Sequence, residues 1–108
     1  MADFSQLEKL ASEIEAKASA SPDSSYTARL IGKGVGPCAK KLGEEAVELA
    51  LAAVQKQHTE TVKEAADVLY HFLVLLKAAG VSPQEVMDEL KRREGTSGLA
   101  EKASRKDD

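Results

Sequence analysis

The sequence predicts an all-α fold, a small bundle of about five helices. Strand signals are weak, because aromatic residues make up only 4 % of the chain and no segment alternates cleanly between apolar and polar residues. Apolar residues instead recur at helical spacing along almost the whole sequence. The 108 residues, 43 % hydrophobic and 31 % charged, suit one globular domain, which we expect to span residues 1–94.

Turn residues separate the first two helices. We expect the first helix over about 5–19, where Ser5 and Glu8 match a capping box, in which each side chain bonds to the other residue's backbone N–H. A short second helix is expected over about 24–32. A bend should follow at Gly32, Gly34, Gly36 and Pro37. We interpret these glycines as a bend and not as a phosphate loop, since no strand precedes them and no Gly-Lys-Ser/Thr follows.

Three more helices are expected, from about Pro37 to Gln57, from Thr59 to Ala79 and from Ser82 to Arg93. Gly80 suits the left-handed residue that closes a helix. Ser82, Pro83 and Glu85 supply a cap residue, a first-turn proline and a capping glutamate. Residues 95–108 are rich in Gly, Ser and charge, so we expect a disordered tail there.

The fourth helix predicts self-association. Between Val68 and Leu76 only His71 is strongly polar, so apolar side chains cover nearly the whole circumference. A helix of this kind must be buried on all sides, and four other short helices would struggle to cover it. We therefore predict a twofold homodimer in which the central helices form a dimeric bundle.

The net charge and the cysteine content indicate which binding partners and which cellular compartment to expect. The net charge of −3 does not favour a general nucleic-acid or membrane-surface binder, and a polyanionic ligand would need a cation to mediate its binding. No apolar run approaches the roughly 20 residues that span a bilayer. Cys38 is the single cysteine, and the acidic start has no apolar signal-peptide core. We expect a cytoplasmic protein.

Carboxylates at helical spacing are the strongest functional signal. One face of the third helix carries Glu44, Glu45 and Glu48, and one face of the fourth carries Glu64 and Asp67. Glu48 and Glu64 each lie eight residues from Lys56, and Glu45 and Asp67 each lie eleven residues from it. If the chain reverses near Lys56, an antiparallel pair sets Glu48 level with Glu64 and Glu45 level with Asp67.

Such a convergence of like charges is unfavourable without a cation. Oxygen ligands without histidine favour Mg²⁺, or Mn²⁺, over Zn²⁺. The predicted metal ligands are Glu45, Glu48, Glu64 and Asp67. A bound ion can hold phosphate oxygens, position a water and neutralise developing charge, which predicts hydrolysis of a phosphoanhydride. The predicted catalytic residues are Glu44, Glu45 and Glu48, of which Glu44 can ligate a second ion, orient a water or act as a base.

Each acidic residue also has an ordinary interpretation as part of a solvated face. Glu44 can pair with Lys40 or Lys41, and Glu64 can cap a helix that starts at Thr61. The symmetry of the set about the expected turn favours a shared site, because solvation does not require it.

The order of the motifs resembles a known family. Ser-Tyr-Thr-Ala-Arg-Leu at 25–30 with Lys-Gly at 33–34, Lys-Leu-Gly-Glu-Glu at 41–45 and Glu-Ala-Ala-Asp-Val-Leu-Tyr-His at 64–71 resemble the phosphoribosyl-ATP pyrophosphatases of histidine biosynthesis. These belong with the MazG-like all-α nucleotide pyrophosphatases. The resemblance covers about 7–93. It implies Mg²⁺-dependent hydrolysis of phosphoribosyl-ATP between its α and β phosphates, giving phosphoribosyl-AMP and pyrophosphate, by a homodimer.

Basic residues near the motifs are candidates for substrate binding. These are Arg29, Lys33, Lys41 and His71. The alternatives are an exposed basic pair for Arg29 and Lys33, and a local ion pair for Lys41. His71 lies four residues after Asp67, so it can instead be a core histidine or support Asp67 through a hydrogen bond.

Three other functions compete with this interpretation. A house-cleaning nucleoside triphosphate pyrophosphatase would use the same chemistry on another nucleotide. A non-catalytic helical dimerisation module would not need the carboxylates. A di-iron bundle is disfavoured, because it usually requires Glu-x-x-His ligands and neither His58 nor His71 follows a glutamate by three residues.

Overall fold

The computed structural model describes residues 1–95 and 98–105 and confirms an all-α fold. Within these residues there are six helices and no strand. They are α1 (Ser5–Lys17), α2 (Tyr26–Gly32), α3 (Val35–Val54), α4 (His58–Ala79), α5 (Pro83–Arg92) and α6 (Gly98–Ser104). The sixth helix lies in the segment 95–108, for which we expected a disordered tail. Residues 96, 97 and 106–108 of that segment lie outside the described residues.

The centre of the fold is the antiparallel hairpin of α3 and α4, with α1 and α2 packed against one part of it. The buried core consists of Ile14, Leu30, Cys38, Leu73 and Val74. These residues come from all four helices, so burial of their side chains fixes α1 and α2 on the hairpin. The thiol of Cys38 donates a hydrogen bond to the Leu30 carbonyl oxygen at 3.2 Å, which ties α3 to α2.

The hairpin turn lies where the spacing predicts it. α3 ends at Val54, three residues earlier than expected, and α4 begins at His58. Between them Lys56 has φ +59°, in the left-handed region. A residue with a Cβ costs about 1–2 kcal/mol there, so the packing of the two helices must stabilise this turn.

The helix ends confirm two predicted caps and correct a third. Ser82 accepts a hydrogen bond from the Glu85 N–H at 3.2 Å, and Glu85 accepts one from the Ser82 N–H at 2.8 Å, which forms the predicted capping box. Gly80 closes α4 with φ +75°. The capping box at Ser5 was wrong, because Asp3 accepts the Ser5 N–H at 3.0 Å and the helix starts one residue after Phe4.

Part of the hairpin surface is apolar and exposed in the single chain. Besides Val35 at the start of α3, five large exposed aliphatic residues lie on the hairpin, and we call these five the apolar stripe: Val47, Leu51 and Val54 on α3 and Val62 and Leu69 on α4. Leu69 is 44 % exposed, so α4 is not covered on all sides within one chain. Across residues 1–95 and 98–105 no single helix is both long and apolar enough to cross a membrane; the bent pair α4–α5, at 104°, satisfies length and composition together.

We predict that Leu73→Ala destabilises the fold by about 2–5 kcal/mol, because it leaves a cavity among the core residues of α1, α2 and α4. Leu73 is 5 % exposed. Urea unfolding followed by circular dichroism measures the change. The matched control is Leu90→Ala on α5, since Leu90 is 55 % exposed and its truncation should cost less than about 0.5 kcal/mol. Equal losses in the two variants would contradict this assignment of the core.

Candidate functional site

Three carboxylates from two helices meet on the α3–α4 hairpin. One oxygen each of Glu45, Glu48 and Glu64 lies within 4.8 Å of the other two. Glu48 is exposed, whereas Glu45 and Glu64 are half-buried. The group is therefore open to solvent on one side and held against the hairpin on the other.

The register of the hairpin brings these residues together. Along α3, Lys41, Glu45 and Glu48 recur at spacings of four and three, and Glu64, Asp67 and His71 recur at three and four along α4. Such spacing keeps each row on one side of its helix. Lys41 and His71 each lie fifteen residues from Lys56, which continues the symmetry of the acidic pairs.

The polar rows lie between buried apolar residues of the same seam. Ala52 is buried toward the turn, and Cys38 and Val74 are buried toward the other end. An antiparallel helix pair ordinarily fills such positions with apolar side chains. Apolar packing at the two ends of the seam thus keeps the carboxylates close together, although their like charges repel.

Glu64 carries the electrostatic cost of this arrangement. Burial raises its pKa to about 7, and hydrogen bonding and repulsion between Glu64 and first Glu48, then Glu45, act in the same direction. Its Oε2 atom is buried and has no hydrogen-bond partner. A partnerless buried oxygen among carboxylates fits a hard divalent cation, which would give that oxygen a partner and offset the repulsion.

Two predicted acidic site residues lie outside this group. Asp67 is exposed and is not among the three residues whose oxygens converge, although its charge acts on His71. Glu44 is also exposed. The alternative in which Glu64 caps a helix at Thr61 is wrong, because Thr61 lies inside α4 and its hydroxyl donates to the Gln57 carbonyl at 2.7 Å.

The sequence model described as phosphoribosyl-ATP pyrophosphohydrolase matches residues 7–94, which include every helix of the hairpin and the carboxylate group. The chain belongs to this family. Proteins named phosphoribosyl-ATP pyrophosphatase are similar over nearly the full chain. One from Cereibacter sphaeroides is 56 % identical over 102 residues, covering 94 % of this chain and 99 % of the relative.

Two further relatives carry the same name. That from Methylobacterium nodulans is 60 % identical over 93 residues, covering 86 % of this chain and 87 % of the relative. That from Parvibaculum lavamentivorans is 55 % identical over 104 residues, covering 96 % of this chain and 95 % of the relative. The match to the phosphoribosyl-ATP pyrophosphohydrolase family thus begins inside α1 and covers α2 to α5 in full.

His71 lies near the carboxylates, since the charges of Glu45 and Asp67 act on it. It is 6 % exposed, and its Nδ1 atom is buried without a hydrogen-bond partner. Burial lowers the pKa of His71, while Glu45 acts against that shift. The lowered pKa favours the neutral imidazole, and the His71 ring meets the Tyr70 ring edge-on at a centroid distance of 4.9 Å.

The predicted basic residues occupy different surroundings. The Lys41 ammonium lies 3.6 Å from a Glu45 oxygen, which is the local ion pair named as its alternative. The Nε atom of exposed Arg29 donates to the Pro22 carbonyl at 3.2 Å. Lys33 is exposed at the end of α2. Of these three, the structure brings Lys41 to the carboxylates.

Sequence reasoning missed the link between α2 and α4. The hydroxyls of Thr27 and Tyr70 lie 2.6 Å apart in a hydrogen bond between residues 43 positions apart. Thr27 is 5 % exposed and Tyr70 is half-buried, so the bond is partly shielded from solvent. Both residues stand in the segments that resemble the family, but spacing alone gave no reason to pair them.

We predict that the metal-free protein loses stability as the pH rises from about 4.5 to about 7. The pKa of Glu64 is raised from 4.5 to about 7 in the folded chain, so the folded state binds more protons than the unfolded state across this window. Stability falls with pH wherever the folded state binds more protons. Thermal unfolding in EDTA across this window measures the effect.

The control is Glu64→Gln, which cannot ionise and should flatten this part of the profile, compared with Glu13→Gln on exposed α1. Added Mg²⁺ should restore the stability of the wild-type protein above pH 7. A metal-free wild-type protein that gains stability across the window relative to Glu64→Gln would contradict the raised pKa.

Proposed function

We propose that this chain hydrolyses phosphoribosyl-ATP between its α and β phosphates, giving phosphoribosyl-AMP and pyrophosphate in histidine biosynthesis. The observation that carries this proposal is the convergence of Glu45, Glu48 and Glu64 in a member of the phosphoribosyl-ATP pyrophosphohydrolase family. The choice of substrate follows the relatives, which are named phosphoribosyl-ATP pyrophosphatase. The carboxylate geometry supplies the reason why this chain can act on a phosphoanhydride.

Glu45, Glu48 and Glu64 would hold the cation, with Asp67 as the fourth ligand. All four offer oxygen alone, which suits Mg²⁺, with Mn²⁺ as the closest substitute. When bound, such an ion supplies charge neutralisation at phosphate oxygens and an oriented water. Its charge also favours the ionised form of Glu64, so the metal-bound site holds its carboxylates as ligands.

The remaining candidates contribute through their own side chains. Glu44 is exposed at the edge of the carboxylate face, where it can accept a proton from an attacking water. Lys41 forms a 3.6 Å ion pair with Glu45, and with Glu45 as a cation ligand the Lys41 ammonium would be available to bind a phosphate oxygen. Arg29, Lys33 and His71 are the other proposed substrate-binding residues.

We further propose that the enzyme is a cytoplasmic homodimer. The apolar stripe exposes five aliphatic side chains along two long helices, and monomers rarely leave such a row in water. A second copy of the same stripe, related by a twofold axis, would cover it. The free thiol of Cys38 fits a reducing compartment.

We predict Mg²⁺-dependent release of pyrophosphate from phosphoribosyl-ATP and its loss in Glu48→Gln. The substitution keeps the size of the side chain but removes a charged oxygen from the cation site. The second shell of a metal site is worth about 10–100-fold, so loss of a ligand should lower kcat/KM by more than about a hundredfold. A coupled pyrophosphate assay measures the rate.

Glu13→Gln is the matched control, since Glu13 is exposed on α1 and away from the hairpin seam. Its rate should equal that of the wild type. Preference for dUTP or another ordinary triphosphate over phosphoribosyl-ATP would contradict the proposed substrate and favour a house-cleaning enzyme. Full activity of Glu48→Gln would contradict the cation site itself.

We predict that Leu51→Glu converts the dimer into a monomer. Leu51 is 53 % exposed at the middle of the apolar stripe, and two charges facing each other across a twofold axis would repel in an apolar setting. Light scattering after size-exclusion chromatography measures the mass. Ala16→Glu on α1 adds the same charge at an exposed site outside the stripe and should leave the dimer intact. A wild-type monomer, or a dimer in both variants, would contradict this interface.

A further inference from the structure

A second recess opens beside α2, on residues that the carboxylate site does not use. Its volume is about 380 Å³. Among the residues that line it are Lys17, Ser24, Ser25, Tyr26, Thr27 and Tyr70. We propose that this recess binds a phosphorylated ribose. The inference rests on the proposed function, in which the substrate carries one such group beyond its purine base.

The recess lies within reach of the carboxylates along α4. Tyr70 follows Glu64 by six residues and Asp67 by three, which corresponds to about 9 Å and 4.5 Å along the helix axis. His71 lies near both the carboxylates and the recess. The charge of Glu45 acts on His71, and the His71 ring meets the Tyr70 ring at a centroid distance of 4.9 Å. The separation along α4 is therefore short enough for one substrate to place its phosphates at the carboxylates and its sugar phosphate at this recess.

The charge of the recess is opposite to that of the carboxylate site. No aspartate or glutamate is among its lining residues, and Lys17 gives it a cation. An anion entering here meets no carboxylate from the lining. The two places thus suit different ends of one molecule, a cation-bound anhydride at one and a bare phosphate at the other.

Hydroxyl groups of the recess retain hydrogens for an anion. The Ser25 oxygen accepts the Ala28 N–H at 3.1 Å, which leaves the Ser25 hydrogen to donate elsewhere. Thr27 and Tyr70 hold two hydroxyl hydrogens and use one in their mutual 2.6 Å bond. The pair therefore keeps one more hydrogen to donate. Together with the Lys17 ammonium, these donors match the several acceptor oxygens of a phosphate.

The two tyrosine rings suit the sugar that carries the phosphate. Tyr26 is 52 % exposed and Tyr70 is half-buried, so both offer ring surface at the recess. Small-molecule sites combine such aromatic surface with a few placed polar groups. The Thr27 bond fixes the Tyr70 hydroxyl, so its ring is held in place before a ligand arrives. An ordinary triphosphate has no group for this recess, which makes it a determinant of specificity.

The test compares Lys17→Ala with Lys9→Ala, both surface substitutions on α1 eight residues apart. Hydrolysis of phosphoribosyl-ATP by Lys17→Ala should show a KM raised about ten- to a hundredfold with kcat little changed, as expected for loss of one charge-assisted bond to bound substrate. Lys9→Ala should retain the wild-type KM. Ribose 5-phosphate should inhibit the wild type competitively and inhibit Lys17→Ala more weakly.

A KM for Lys17→Ala equal to that of Lys9→Ala, or equal inhibition of wild type and Lys17→Ala by ribose 5-phosphate, would overturn the proposal. Absence of phosphoribosyl-ATP hydrolysis by the wild type would instead refute the proposed function. In that event, NMR titration of the metal-free wild type with ribose 5-phosphate still tests whether the recess binds a phosphorylated ribose. Saturable shifts of the Tyr26 and Tyr70 ring signals that vanish in Lys17→Ala support the recess, and unchanged signals refute it.

Discussion

The pairing of α3 with α4 controls where every charged group of the site lies. Buried Cys38 and Val74 at one end of the seam and Ala52 at the other hold the helices at a fixed distance and rotation. Between these two ends, the seam positions at one level of the hairpin are occupied by the charged residues Glu48 and Glu64. The hydrophobic contacts therefore set the geometry, and the carboxylates occupy positions that contribute little to stability on their own.

The same pairing explains why the site suits a cation. Helices that pack through an apolar seam cannot separate to relieve repulsion between a few charges, since separation would expose the core. The repulsion can be reduced by a proton on one carboxylate or by a bound metal ion. The raised pKa of Glu64 reflects the first of these. Because the raised pKa of Glu64 is about 7, a divalent cation can displace its proton at a lower cost near neutral pH than in acid.

Local signals account for what could be predicted from the sequence. The capping box at Ser82, the left-handed Gly80 and the reversal at Lys56 each depend on a few neighbouring residues, so pattern suffices for them. The meeting of Glu48 with Glu64 followed from that reversal, because helical rise is regular.

Features set by distant contacts were not predicted. One nearby contact was also missed, since the Asp3 carboxylate accepts the Ser5 N–H that Glu8 was expected to bond. Asp67 matches Glu45 in sequence symmetry, yet the structure leaves it outside the converging group, since symmetry fixes height along the hairpin but not rotation about each helix. The bond between Thr27 and Tyr70 depends on how α2 lies across α4, which no local pattern specifies.

The half of the hairpin near the turn carries both the proposed dimer interface and the carboxylate site. α1 and α2 pack on the core around Leu73 and Val74, away from the turn, and leave the half near Lys56 uncovered. Val47 stands between Glu45 and Glu48 in sequence but about 100° around the helix from Glu48. Leu51 lies about 60° and Val54 about 120° from Glu48, so the apolar stripe begins beside the carboxylates and extends away from them around the same exposed half. A second copy can cover the stripe while the carboxylates stay open to substrate, so a fold too small to enclose its central helices gains both an interface and a site from one uncovered segment.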